Sequence, residues 1–75
     1  MSEKLVKIGD LARTLNILPS TIHYYTQQGL LAFNATTQGG YRLYDLSGAT
    51  RRIKTIQQLQ TKKRLTIEEI KRALK

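Results

Sequence analysis

Apolar residues in this chain recur in short, differently spaced groups. Leu5-Val6-Lys7-Ile8 is a brief apolar run and reads as a strand. Leu11 and Leu15 stand four apart with Ala12 beside them, the spacing of one helical face. Asp10 is the expected cap of that helix and Asn16 its left-handed stop. A second helix is expected from Pro19 to about Gln28. Proline suits the first helical position, where its missing N–H has no partner to lose, and Gly29 suits the stop. Ile22 and Tyr25, three apart, are its inward residues. Two short helices joined by three or four residues form the helix-turn-helix pattern.

The pattern then changes. Gln38-Gly39-Gly40 is a turn signal between Leu30-Leu31-Ala32-Phe33 and Tyr41-Arg42-Leu43-Tyr44. The second run alternates, with Tyr41 and Leu43 on one side and Arg42 and Tyr44 on the other. A two-stranded ribbon, or wing, is expected. A third helix starts at Asp45 or Ser47 and places Leu46, Ala49, Ile53, Ile56 and Leu59 on its core face. Arg51, Thr55, Gln58 and Lys62 share the opposite stripe. After the basic turn Lys62-Lys63-Arg64, Thr66-Ile67-Glu68-Glu69 is a capping box that opens a fourth helix, with Ile67, Ile70, Ala73 and Leu74 inward. Glu68 and Glu69 suit the positive end of that helix, and Lys71, Arg72 and Lys75 its negative end. The two glutamates therefore read as helix electrostatics and not as a catalytic pair.

Charge sharpens this picture. The 75 residues carry 13 Lys and Arg against five acids, a net charge of +8. The excess is lopsided: Lys4, Lys7 and Arg13 nearly balance Glu3 and Asp10, whereas from Arg42 onward basic residues outnumber acids more than threefold. From Thr14 to Tyr41 there is no charged side chain, and Thr, Gln, Asn, Ser and Tyr dominate. Attraction at a distance thus comes from one half of the chain and close-range hydrogen bonding from the middle. A small domain with this balance points to a polyanion. The double glycine lets backbone approach closely, and Arg42 offers a planar fork to phosphate oxygens.

The same composition excludes other classes. The chain has no cysteine, and its single histidine, His23, makes no metal site without carboxylate help. No catalytic constellation or P-loop is present, and neither an enzyme nor a bound cofactor is expected. No apolar run approaches a membrane span, and no secretory signal opens the chain. The expectation is one soluble intracellular domain over residues 1–75 that binds a polyanion and no membrane.

In order along the chain stand Ile8-Gly9-Asp10-Leu11-Ala12, Ser20-Thr21-Ile22-His23-Tyr24-Tyr25, Gly29-Leu30-Leu31 and Gly39-Gly40-Tyr41-Arg42-Leu43-Tyr44. This succession resembles the DNA-binding domain of the MerR (mercury-resistance regulator) family of bacterial transcription regulators, from about Val6 to Leu74. The resemblance implies a mainly α winged helix-turn-helix of four helices and a short two-stranded wing. Its parts would be the helix-turn-helix at about 9–28, the wing at about 31–44 and the helix pair at about 46–75. It implies a double-stranded DNA partner, with the second helix in the major groove and the wing on the backbone. Ser20, Thr21, His23 and Tyr24 would face the groove. Tyr25, also inward by periodicity, would place its hydroxyl at a phosphate. Tyr41 and Arg42 would be wing contacts, and Arg51, Arg52 and Lys54 secondary phosphate contacts. Family members act as dimers through a long helix beyond the fourth; without it, residues 1–75 are expected to be monomeric. A stand-alone architectural or excision-type protein of the same fold is the alternative, and a small RNA-binding protein is a third reading favoured by charge alone.

The chain departs from the family pattern at several points. His23 stands where arginine is usual, Thr26 where glutamate is common, and Leu18 where a polar cap precedes Pro19. Phe33-Asn34-Ala35-Thr36-Thr37 replaces the wing's usual prolines and arginines. Lys63-Arg64 takes the place of a glycine in a longer turn.

Overall fold

The computed structural model describes residues 4–74. In chain order the elements are β1 (Leu5–Lys7), α1 (Ile8–Leu15), α2 (Pro19–Gln27), β2 (Ala35–Thr36), β3 (Arg42–Asp45), α3 (Leu46–Thr61) and α4 (Ile67–Ala73). Four helices and a small sheet give the expected winged helix-turn-helix.

Both helices of the helix-turn-helix stop by the same device. Asn16 takes a left-handed φ of 56°, and the N–H groups of Asn16 and Ile17 donate back to Arg13 and Ala12. Gly29 takes φ +78°, and the N–H groups of Gly29 and Leu30 donate to Thr26 and Tyr25. These are Schellman closures, and each satisfies two carbonyls of the last helical turn. The second also turns Leu30 inward.

The beginning of α1 differs from expectation. It starts at Ile8, with Lys7 at the cap position and no capping side chain. Asp10 lies inside the first turn, where its charge complements the helix dipole and pairs with Arg13. Ile8 accordingly belongs to the helix and not to the preceding strand.

The sheet also differs. It has three strands in the order β1-β3-β2, all antiparallel. Leu30 and Leu31 are not strand residues but core residues, and the segment that pairs with β3 is Ala35–Thr36. The third strand is β1, with Val6 opposite Tyr44 and Lys7 opposite Leu43. The wing is therefore rooted in the body of the domain. Asn34 fastens its base, donating its N–H to the Leu43 carbonyl and accepting from the Asp45 N–H.

One core joins all of this. Val6, Leu11, Ala12, Ile22, Tyr25, Leu30, Leu31, Tyr44, Ala49, Ile53, Ile56 and Ile70 form a single buried cluster. Asp45 caps α3, its carboxylate accepting from the Gly48 N–H at 2.9 Å. Thr66 and Glu69 make the expected reciprocal box on α4. Ala73 corrects the inward assignment on that helix. It is exposed, because α4 buries the stripe through Ile70 with Ile67 and Leu74 at its edges, and Ala73 falls beside that stripe. Lys75, assigned to the helix end on charge, lies outside the described residues.

Candidate nucleic-acid interface

Helix α2 is buried along one edge and bare along the other. Ile22 and Tyr25 are in the core. Ser20, His23, Tyr24 and Gln27 are exposed, at spacings of three, one and three residues. That is one helical face, about 180° from the buried one. Thr21 is half-buried at its margin. The stripe offers hydroxyls, an imidazole, an amide and an aromatic ring, and no full charge of the Lys, Arg, Asp or Glu kind.

Hydrogen bonds to β3 and α3 hold this helix and Leu30 just past its end. The Thr26 hydroxyl donates to the Ile22 carbonyl at 2.8 Å. Its single proton is thereby used, so the Tyr44 hydroxyl, 2.9 Å away, donates to Thr26 and ties α2 to the wing strand β3. The Tyr25 hydroxyl donates to Gln60 Oε1 of α3 at 2.9 Å. Arg52 Nε, also from α3, donates to the Leu30 carbonyl at 2.8 Å, just past the end of α2. Burial, and then the neighbouring Tyr24, push the Tyr25 phenol above its ordinary value, so it remains a donor throughout the neutral range.

The wing presents cations on aromatic faces. The Arg42 guanidinium lies over the Phe33 ring, 5.0 Å from its centroid, and Lys7 Nζ lies 5.3 Å from the centroid of Tyr41. Tyr41 is 63% exposed at the wing tip. The tip is closed by the Gly40 N–H donating to Thr37, with Gly40 at φ +84°.

The acids among the described residues are occupied within the fold. Asp45 and Glu69 cap helices, Asp10 pairs with Arg13, and Glu68 pairs with Lys71 at 3.5 Å. Among the described residues no acid pairs with Lys7, Arg42, Arg51, Arg52 or Lys54. Arg51 and Lys54 are exposed on α3, and Arg52 is half-buried against Leu30. No group of three His, Cys, Asp or Glu side chains that could hold a metal occurs among the described residues, and none of their helices is long and apolar enough to cross a membrane.

The expected residues thus fall into three groups. Ser20, His23 and Tyr24 share the open face of α2, with Thr21 beside them. Tyr41 and Arg42 stand on the wing, and Arg51 and Lys54 on α3. Tyr25 and Arg52 are turned to the fold itself. Three further residues belong to this surface: Gln27, Lys7 and Phe33. Gln27 was legible, since it stands seven after Ser20 on the side away from Ile22. Lys7 was not, because its ring partner Tyr41 lies far along the chain, and Phe33 was not, because it stands ahead of β2 and not within a strand.

The sequence profile of the MerR HTH family of regulatory proteins matches residues 6–75. The nodulation protein NolA of Bradyrhizobium sp. (strain NC92) is 34% identical over 70 residues, which are 91% of this chain and 28% of that protein. The HTH-type transcriptional regulator ZntR of Escherichia coli (strain K12) is 38% identical over 47 residues, 63% of this chain and 33% of that protein. The chain spans a third or less of the length of these relatives. With the family's motifs on the helix-turn-helix and the wing of the fold just described, the chain belongs to the MerR HTH family of regulatory proteins, as a DNA-binding domain of that kind.

Proposed function

We propose that the domain binds double-stranded DNA with α2 in the major groove and the wing against the phosphate backbone. The observation that carries this is the bare, uncharged face of Ser20, His23, Tyr24 and Gln27 on a helix clamped from behind by Tyr44, Gln60 and Arg52. Such a face suits base edges, which themselves present neutral donors, acceptors and methyl groups. Arg42, Lys7, Arg51 and Lys54 neutralise phosphates and fix register without reading sequence. Arg52 adds charge at the margin while holding Leu30. Tyr25 supports the helix, since its one proton is already given to Gln60. In the whole regulator, segments outside this chain join two such domains, and the assembly works in the cytoplasm on the nucleoid.

Two substitutions separate the roles in fluorescence-anisotropy titrations. Arg42→Ala weakens binding to all duplexes alike, by about 1–3 kcal/mol, because its partner is phosphate. His23→Ala instead flattens preference between sequences and leaves the salt dependence as it was. Arg42→Ala that changes preference at constant affinity contradicts this docking.

A further inference from the structure

Leu18 is the most exposed large apolar side chain among the described residues, at 67%. A single exposed leucine is ordinary. Its position is not. Leu18 is the N-cap residue of α2, with extended φ and ψ of −76° and 141°, and it makes no side-chain cap. Serine, threonine or aspartate there would accept a hydrogen bond from the first helical turn, whereas leucine supplies none. Being exposed, it does not repay the loss by packing. Folding therefore gives no account of Leu18.

Its surroundings do. Of the five exposed large apolar side chains among the described residues, Leu18 and Tyr24 lie on or at α2, and Phe33 and Tyr41 lie at the wing. Only Leu5 stands elsewhere. Leu18 thus stands exposed at the N-terminal end of the reading helix. That end is where helix-turn-helix proteins meet base edges. No residue of α2 is Lys or Arg, so the bidentate contact that selects guanine is missing from the helix. The apolar feature that a base edge offers in the major groove is the C5 methyl of thymine.

We propose that Leu18 is a specificity-determining residue that packs on a thymine methyl, so that the preferred site carries an A·T pair under the start of α2. The proposal rests on the DNA-binding reading above and deepens it. The trade is a weaker helix cap for apolar readout of one base.

The test uses duplexes recovered by the 75-residue domain from a random-sequence pool. Each thymine is then replaced singly by uracil, which removes only the methyl group. The wild-type protein loses about fourfold in affinity at one position, the worth of one buried methyl. Leu18→Ser binds the parent duplex about fourfold more weakly and is indifferent to uracil at that position. The same variant melts higher by about 4–8 °C, because serine restores the cap. Reduced affinity in a more stable protein separates a contact from a folding defect. Uracil replacements that are silent for the wild type, with salt-dependent binding intact, overturn the methyl contact and leave DNA binding standing. Absence of salt-dependent binding to any duplex overturns both.

Discussion

Tyr24 and Tyr25 are adjacent and chemically identical, yet the helix gives them opposite roles. Tyr24 is 43% exposed on the open face, while Tyr25 is 5% exposed and donates to Gln60. The Tyr25 ring fills the core and its hydroxyl joins α2 to α3. Removing that hydroxyl leaves Gln60, which is half-buried, to bond with water. Tyr25→Phe should therefore cost about 0.5–1.5 kcal/mol of stability and leave DNA affinity unchanged within about twofold. Thermal melting and anisotropy titration on the same preparation check both halves. A large loss of affinity at unchanged melting temperature would show that the Tyr25 proton moves from Gln60 to a phosphate on binding. Thr26 follows the same logic. Where glutamate is common in the family, a threonine passes a hydrogen bond from Tyr44 to the Ile22 carbonyl, so the departure couples wing and helix through neutral groups.

At the scale of elements, the ends of helices decide much of the structure. Thr66 accepts from the Glu69 N–H at 3.2 Å, and Glu69 accepts from the Thr66 N–H at 2.9 Å. The bond from the Thr66 backbone, then that with its side chain, holds the Glu69 carboxyl below its ordinary range. A carboxyl depressed in the folded state adds stability above its ordinary value, and that stability is lost as pH falls through the folded one. Melting temperature should thus decline with acidification below the ordinary carboxylate range, and Glu69→Gln should flatten this dependence. Thr66→Ala should cost about 1 kcal/mol at neutral pH, since α4 has only seven residues and propagates poorly without its cap. A melting series in pH for the three proteins measures both effects. These ends were also what the sequence made legible. Pro19 and Gly29 bounded α2, Asn16 stopped α1, and Thr66 with Glu69 opened α4, because each acts on neighbours a few residues away. The start of α1 was misplaced because Lys7 caps it with no side-chain signal. The sheet was incomplete because the pairing of β1 with β3 spans some 38 residues and depends on the core beneath Val6 and Tyr44. The bare face of α2 needed only helical spacing, but the inward turn of Arg52 needed the position of Leu30. The left-handed Arg64, at φ 54°, stands in the turn where the family favours glycine, and its identity alone does not announce that conformation.

At the scale of the whole molecule, the net charge of +8 is available outward because the described acids are occupied with caps and local pairs. The domain extends 37 × 25 × 20 Å, so cations on the wing and on α3 can engage only a limited length of duplex together. Wing and helix present different chemistry: the wing, with Lys7 of the adjoining β1, sets cations on aromatic rings, and the helix carries none of the Lys or Arg charge. Attraction and reading are accordingly separable in one measurement. Each phosphate neutralised releases condensed counterions and contributes about −0.9 to the slope of log K against log salt. Engagement of about five phosphates predicts a slope near −4.5 for the wild-type domain. Arg42→Ala should reduce its magnitude by about 0.9, one phosphate's share, on every duplex tested. Leu18→Ser, which changes no charge, should shift the line down without tilting it. Anisotropy titrations at four or five salt concentrations give all three lines. A wild-type slope near zero would remove the polyanion as partner, and an unchanged slope for Arg42→Ala would remove the wing from the backbone.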